Sequence, residues 1–257
     1  MRIQIYADGA DIDGIITAAN NPYVTGFTTN PTLMRKAGIA DYKQFAQDAM
    51  LRLHQLRPDT NISLEVFADD AEGMIMQARQ INAWAADIGY MAYVKIPITT
   101  TNGESTFDVV KLLTGMGVPC NITAVFTPGQ VEHILGAIDA TTPTIISVFA
   151  GRIADAGVNP VRVMGQCIAE ARKTDPLRFG SYYDTHKIKF LWASTREIYN
   201  LIQADEVGCD IITLTSDLIK KREKLGANLT DVSLDTVKMF YNDACASRYM
   251  IEAPYGI

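Results

Sequence analysis

The sequence has few of the residues that bind transition metals or cross-link chains. Its 257 residues include only four cysteines and three histidines, and neither set shows a metal-ligand spacing or a disulfide framework. We therefore expect free thiols in a reducing compartment, a cytoplasmic location, and neither a metal site nor a cofactor. Any chemistry must then come from the amino-acid side chains themselves.

Long apolar runs and basic clusters are also missing. No apolar stretch approaches the roughly 20 residues of a membrane-spanning helix, and residues 1–6 are too short for the apolar part of a signal peptide. The formal net charge of -6 argues against nucleic acid as a partner. The one basic run, residues 220–224, is interrupted by Glu223 and reads as a solvated helix face. These absences exclude membrane and nucleic-acid partners and favour a small molecule.

Short apolar or β-branched segments alternate along the chain with longer segments of helical periodicity. The candidate strands are residues 3–7, 25–28, 62–67, 91–96, 118–122, 144–149, 188–193 and 211–214. The helical patterns between them include residues 42–55, 71–85, 106–116, 128–137, 160–173, 196–206 and 216–224. Strands that alternate with helices predict a parallel sheet with right-handed crossovers.

Eight such units favour a closed barrel, because an open doubly wound sheet usually stops at about five to seven strands. The sequence therefore predicts an α/β fold, a (β/α)8 TIM barrel, as one domain over residues 1–257. Residues from about 233 onwards read as one more helix and a tail, either the last outer helix or an arm onto a neighbouring subunit. The polar connection 174–187 fits a lid and an ordinary loop equally well.

Polar side chains lie at or just after the carboxyl ends of seven of the eight predicted strands, where a barrel of this type places its chemistry. They are Asp8, Thr29 with Asn30, Glu65, Lys95, Asn121 with Thr123, Ser147 with Arg152, and Ser194 with Arg196. Lys95 carries the most information, because it lies between Val94 and Ile96 in an apolar strand. Desolvation disfavours the charged form of a lysine, and a neutral amine forms imines with carbonyl compounds.

These strand regions resemble the transaldolase family. Residues 26–32 (Gly-Phe-Thr-Thr-Asn-Pro-Thr) are similar to its Thr-Thr-Asn-Pro-Ser/Thr signature. The other matching motifs are Val-Lys-Ile-Pro at 94–97, Cys-Asn-Ile-Thr-Ala-Val-Phe at 120–126, Ser-Val-Phe-Ala-Gly-Arg at 147–152 and Ala-Ser-Thr-Arg at 193–196. Together with Asp8 they run in family order to about residue 214. The chain length resembles that of the short members, which include the fructose-6-phosphate aldolases.

The resemblance implies a class I aldolase-like mechanism. Lys95 would form a Schiff base with the ketone of a ketose phosphate, and Asp8 would take and return the proton of the C4 hydroxyl. Glu65 and Thr123 would hold the water that shuttles protons during imine formation. The residues implied in donor binding are Asn30, Asn121, Ser147 and Phe149, and those implied in phosphate binding are Arg152, Ser194 and Arg196. The resemblance also implies a homo-oligomer, a pentamer or a decamer.

Several of these side chains also fit an ordinary structural interpretation. Asp8 lies before Gly9 and Asn30 before Pro31, where each fits a turn or cap, and Phe149 fits a core position. An arginine after a strand is most often a surface salt-bridge partner. Thr215 stands where the family usually has a proline, so the anionic head group of the substrate, phosphate or another, is left open.

Three functions follow for such a barrel. The first is a transaldolase that transfers a dihydroxyacetone unit between sugar phosphates in carbohydrate metabolism, as in the pentose phosphate pathway. The second is an aldolase of the fructose-6-phosphate type that releases free dihydroxyacetone. The third is a barrel that binds sugar phosphates without chemistry, which the combination of Lys95, Asp8 and Glu65 disfavours. By resemblance, glutamate at position 65 goes with transfer and glutamine with release.

Overall fold

The structure, a computed structural model, describes residues 1–174 and 187–251. Eight strands form a closed barrel, in which every strand pairs in parallel with its neighbours and strand order follows chain order. They are β1 (Gln4–Asp8), β2 (Val24–Thr28), β3 (Ile62–Glu65), β4 (Ala92–Pro97), β5 (Cys120–Val125), β6 (Thr144–Val148), β7 (Ile188–Trp192) and β8 (Ile211–Thr215). The predicted (β/α)8 barrel is confirmed.

Helices connect these strands. They are α1 (Ile12–Ala19), α2 (Pro31–Lys36), α3 (Tyr42–Leu56), α4 (Ala71–Ile88), α5 (Phe107–Gly115), α6 (Pro128–Leu135), α7 (Ala150–Asp155), α8 (Pro160–Thr174), α9 (Tyr199–Val207) and α10 (Ser216–Lys221). A 3-10 turn (Arg222–Lys224) follows α10, and the helix α11 covers Leu229–Ser247. The predicted lid or loop lies almost wholly outside the described residues.

The sequence analysis named no helical pattern at α1, α2 or α7. Each has only six to eight residues, so it spans about two turns and shows too little of the 3.6-residue period to be recognised. Strand ends also differ from the prediction by a few residues. Strand β3 stops at Glu65, and Phe149, predicted as the end of a strand, is instead the N-cap residue of α7, which begins at Ala150.

The barrel interior is filled from several strands at once. Side chains alternate between the two faces of a strand, so residues two apart point to the same side. Tyr6, Tyr93, Ile145, Leu191 and Ile211 come from five strands and form one buried cluster. Strands β1 and β4 are not neighbours in the barrel, so contact within this cluster identifies the inward-facing side of each strand. Two residues further along β1, β4, β6 and β8, the same face of the strand carries a polar residue.

Gly26 on β2 leaves space for the ring of Tyr6. A Cβ atom on Gly26 would lie 2.5 Å from Cζ of the Tyr6 ring. That ring is held in place, because its hydroxyl oxygen accepts a hydrogen bond of 2.9 Å from Asn61 Nδ2. The glycine of the motif at 26–32 is therefore explained by packing inside the barrel.

The chain divides into two compact units, residues 1–219 and 220–257. The first contains the barrel. The second contains α11, which begins at Leu229 with the Asn228 side chain as its cap, accepting from the Thr230 amide at 2.8 Å. Within residues 1–174 and 187–251, no helix has the length and apolar character that crossing a bilayer requires.

Candidate active site

Lys95 lies at the carboxyl end of β4 and is buried, with 6% of its surface exposed. Its Nζ donates to the Thr29 carbonyl oxygen at 2.7 Å and lies 3.0 Å from Oε2 of Glu65. The surroundings of the amine are thus polar, whereas the sequence analysis placed it among apolar side chains. The reason is the strand period: Val94 and Ile96 point to the opposite face of β4, towards the helices.

Glu65 is the last residue of β3 and pairs in register with Lys95 on the adjacent strand. Its main chain is held by Tyr42, whose hydroxyl donates to the Glu65 carbonyl oxygen at 2.9 Å. Burial and the Glu65 charge both raise the pKa of the Tyr42 hydroxyl, so it stays a donor. The Tyr42 ring packs edge-on against Phe67, with 4.6 Å between ring centroids. The main chain of Glu65 is therefore held by β4 and α3, and its carboxylate lies beside the amine.

Asp8 is the last residue of β1 and completes a group of three charged side chains. The Thr28 hydroxyl donates to Asp8 Oδ1 at 2.8 Å. Burial raises the pKa of the Asp8 carboxyl, while the Lys95 charge and the Thr28 hydrogen bond act in the opposite direction and the Glu65 charge adds to the increase. A carboxylate with a raised pKa beside an amine is suited to moving protons near neutral pH.

Asn121 and Ser147 are connected by a buried hydrogen-bond chain. The Ser147 hydroxyl donates to Asn121 Oδ1 at 2.6 Å, and Asn121 Nδ2 donates to the Ser63 hydroxyl at 3.1 Å. At most 2% of the surface of each of these three residues is exposed. Because Asn121 pairs in register with Lys95, this chain lies beside the amine. Polar groups that are held in this way are ordered before any ligand arrives.

Thr123 stands next to an irregularity in β5. The register with β6 shifts between Ile122 and Val125, and Ala124 has a positive φ of 59°. A bulge of this kind turns the side chain beside it away from the regular alternation and is common next to active sites. Thr123 is buried, with 3% exposed, and pairs in register with Pro97 on β4, two residues after Lys95.

Asn30 has a structural role in addition to any role in binding. Its Oδ1 accepts from the Leu33 amide at 3.0 Å and caps the N-terminus of α2, with Pro31 as the first helical residue. The preceding residue, Thr29, supplies the carbonyl that binds Lys95. The motif at 26–32 thus orders the start of α2 and one partner of the amine.

The loops after β6 and β7 bring the two predicted arginines to one region. A Cβ atom on Gly151 would lie 1.6 Å from the Ser194 carbonyl oxygen, so these loops approach each other where no side chain fits. Ser194 has a positive φ of 63°. Arg196 forms a salt bridge with Asp155 on α7, and the guanidinium carbon of Arg152 lies 5.8 Å from the centre of the Phe149 ring. The salt-bridge interpretation of Arg196 is thus confirmed, and binding of an anion stays a prediction.

Three of the four cysteines, Cys120, Cys167 and Cys209, are buried, and Cys245 is exposed. Residues 1–174 and 187–251 hold no group of three His, Cys, Asp or Glu side chains arranged to bind a metal. Burial raises the pKa of the Cys120 and Cys167 thiols to about 12, and Cys209 is shifted in the same direction. These thiols therefore stay protonated and unreactive.

Comparison with known proteins identifies the family. The model of the family "Transaldolase/Fructose-6-phosphate aldolase" matches residues 5–251. A probable transaldolase of Roseiflexus sp. (strain RS-1) is 31% identical over 235 residues, which cover 91% of this chain and 94% of the relative. A probable transaldolase of Dehalococcoides mccartyi is 31% identical over 82% of this chain and 86% of its own length. The chain belongs to the transaldolase/fructose-6-phosphate aldolase family.

Membership makes the chain an enzyme of the aldolase and transaldolase type, as the motifs predicted. Among solved structures, a monomeric dihydrodipicolinate synthase variant is similar, with a TM-score of 0.56 and 8% identity. The similarity covers 95% of this chain and 79% of that protein, and at this identity it supports the barrel fold alone.

Two residues near the amine, Thr28 and Tyr42, were not among the candidate residues, and Thr29 was named at the end of its strand without a role. The Thr29 carbonyl binds Lys95, the Thr28 hydroxyl binds Asp8, and the Tyr42 hydroxyl binds the main chain of Glu65. Thr28 and Thr29 belong to the motif at 26–32, so the family resemblance itself was the signal. Tyr42 carries no comparable signal, because a tyrosine at the start of a helix looks like an ordinary packing residue.

Proposed function

We propose that this member of the transaldolase/fructose-6-phosphate aldolase family is a transaldolase. It would transfer a dihydroxyacetone unit from a ketose phosphate to an aldose phosphate through an imine on Lys95. The observation that carries the proposal is the buried amine of Lys95, 3.0 Å from the Glu65 carboxylate at the carboxyl end of the barrel. A protein that only binds sugar phosphates gains nothing from such a costly buried charge pair.

The first half of the reaction uses the Lys95–Glu65 pair. In the resting enzyme Lys95 donates a hydrogen bond to the Thr29 carbonyl and forms an ion pair with Glu65, which would accept its proton. The neutral amine then attacks the ketone carbon, forming a carbinolamine whose hydroxyl leaves as water to give the imine. Glu65, together with Thr123 on β5, would manage the proton that this dehydration requires.

Asp8 would act in the second half. It accepts the proton of the C4 hydroxyl while the C3–C4 bond breaks, so the aldose leaves as an aldehyde and the electron pair moves into the enamine on Lys95. When the acceptor aldehyde arrives, the enamine carbon attacks it and Asp8 returns the proton to the new hydroxyl. The raised pKa of the Asp8 carboxyl suits this two-way transfer. Hydrolysis of the imine then releases the new ketose.

The remaining site residues would hold the two ends of the sugar. Asn121 and Ser147, ordered by their shared hydrogen bond, would bind the hydroxyls of the dihydroxyacetone unit together with Asn30, and Phe149 would form an apolar wall. Arg152, Arg196 and Ser194 would bind the phosphate, because guanidinium groups match phosphate oxygens in a bidentate manner.

Trapping of the imine tests the proposal. The protein is incubated with fructose 6-phosphate and sodium borohydride, and the reduced adduct is located by peptide mass spectrometry. We expect a single adduct on Lys95 and none in Lys95→Met. Lys189→Met is the matched control, since Lys189 also lies on a barrel strand but at its other end. An adduct on another lysine, or no adduct with any ketose, would refute the mechanism.

A further inference from the structure

The Asp155 carboxylate lies against the guanidinium group that we assign to anion binding. Arg196 Nε donates to both carboxylate oxygens at 3.1 Å, and Nη2 donates to Oδ2. The hydrogen bonds from Arg196, and then the charges of Arg196 and Arg152, hold the pKa of the Asp155 carboxyl below its usual value. The carboxylate is thus charged at neutral pH and faces both arginines of the predicted anion site.

The main-chain geometry of α7 and of the loop after β7 brings Asp155 and Arg196 together. Gly151 and Asp155 are four residues apart on α7 and therefore lie on the same face of the helix. Gly151 accommodates the Ser194 carbonyl, and a Cβ atom there would also lie 3.3 Å from Cγ of Arg196. The loop of Arg196 is fixed on its other side by Asn200, whose Oδ1 accepts from the Arg196 amide at 3.0 Å. Side chain and main chain of Arg196 are therefore both held.

The salt bridge with Asp155 does not use all the hydrogen-bond donors of the Arg196 guanidinium group. Asp155 takes the Nε–Nη2 edge of the guanidinium group, and Nη1 has no hydrogen-bond partner among the described residues. Arg57 makes the same bidentate contact with Asp59, at 3.0 Å through Nε and Nη2, at the opposite end of the barrel. There Nη1 also donates to the Ala19 carbonyl, so that arginine ties three chain segments together. In Arg196, by contrast, Nη1 is left over for a ligand.

We propose that Asp155 is a positioning residue that presets Arg196 to bind the anionic group of the substrate. The inference rests on the proposed function, because the anion is taken to be the phosphate of the sugar. An arginine without Asp155 would have to be ordered when the ligand binds, and that ordering costs affinity. Asp155 also repels an anion, but solvent screens charges at an exposed site, whereas the ordering effect is not screened.

The test compares phosphorylated and unphosphorylated donors. Initial rates are measured with fructose 6-phosphate and with fructose, using glyceraldehyde as acceptor. For Asp155→Ala we expect KM for fructose 6-phosphate to rise by roughly 3- to 30-fold, the range expected for ordering one arginine side chain. We expect kcat, and both constants for fructose, to stay unchanged. Asp155→Glu keeps the carboxylate and should recover part of the loss. Asp59→Ala removes the matched pair at the other end and should leave every constant unchanged.

A binding measurement separates this inference from the proposed function. The dissociation constant of inorganic phosphate is measured by calorimetry for the wild type and for Asp155→Ala. Weaker phosphate binding in the variant supports the inference even if neither ketose is turned over, an outcome that would refute the proposed function alone. A lower KM or tighter phosphate binding in the variant would mean that Asp155 competes with the anion. Equal changes for both ketoses, no change for either, or no phosphate binding by the wild type would also overturn the inference.

Discussion

The interior of the barrel differs between its two ends, although the same strands line both. On β1, β4 and β6, an apolar or aromatic residue is followed two positions later by a polar one on the same face. The pairs are Tyr6 and Asp8, Tyr93 and Lys95, and Ile145 and Ser147. The first members form a single buried cluster, whereas the second members belong to the candidate active site.

This difference shows how one strand can serve two purposes. At the amino end, close packing fills the barrel and favours folding. At the carboxyl end, buried charged groups must be paired, because an isolated charge in such a place is costly. Lys95 is paired with Glu65, and Asp8 accepts from Thr28. Substitutions at the carboxyl end should therefore lower activity, whereas substitutions at the amino end should lower stability.

The largest effect in our comparison is expected for Asp8→Asn. Loss of the proton acceptor should lower the rate of C3–C4 cleavage by about 10²- to 10⁴-fold, while the imine on Lys95 still forms. Stopped-flow cleavage assays and borohydride trapping measure the two steps separately. Asp11→Asn is the control, because Asp11 only caps α1. Loss of the imine together with cleavage would contradict the assigned role.

Although it lowers activity, Asp8→Asn should raise the stability of the protein at neutral pH. Burial raises the pKa of the folded Asp8 carboxyl, so the folded state binds this proton more tightly than the unfolded state. The contribution of Asp8 to stability is then complete below about pH 4, its unfolded pKa, and is lost as the pH rises through the raised folded pKa. Asp8→Asn should therefore be more stable than the wild type at pH 7, with the difference vanishing near pH 4 in urea unfolding.

A smaller effect is expected for Glu65→Gln, which keeps the size of the side chain but removes the charge that pairs with Lys95. Loss of a charge-assisted contact of roughly 1.5–3 kcal/mol should lower the transfer rate by about 10- to 150-fold. It should also raise the fraction of turnovers that release free dihydroxyacetone, because the side chain no longer moves protons of the catalytic water. Both products are measured by chromatography with saturating aldose phosphate.

The control for this experiment is Glu72→Gln, the same change at an exposed position on α4. An unchanged rate and product ratio in Glu65→Gln would make Glu65 a strand residue without a catalytic role. Release of dihydroxyacetone at most turnovers of the wild type would instead favour the aldolase activity of the fructose-6-phosphate type.

The smallest effect is expected for Gly26→Ala, which tests the packing of the barrel interior and not the active site. The new methyl group meets the Tyr6 ring at 2.5 Å, and overpacking should lower the free energy of unfolding by about 1–3 kcal/mol. The second substitution Tyr6→Leu should recover part of this loss. Gly129→Ala, where the added Cβ meets nothing within 4 Å, should be neutral or slightly stabilising. A Gly26→Ala protein as stable as the wild type would disprove the packing argument.

The arginines show where reasoning from the sequence was incomplete. The sequence placed Arg152 and Arg196 after two strands, and both do lie near the carboxyl end of the barrel. It gave no sign that Asp155 would reach Arg196, because the two residues are 41 positions apart and meet only through the close approach of Gly151 to Ser194. In the same way, no local pattern indicated that Tyr42 would hold the main chain of Glu65.

The sequence by itself determined the alternation of strands and helices, and hence the barrel, because hydrophobic periodicity is a local property that survives without knowledge of contacts. It also located Lys95, Asp8 and Glu65, because each lies at the carboxyl end of a strand and parallel strands of a barrel end on one side. Only the tertiary structure decided that Lys95 is paired with Glu65 and bound by Thr29, and that Arg196 is held by Asp155. These partners come from segments that are distant in the chain. The interatomic distances and the burial that set the strength of these contacts exist only after the barrel has closed.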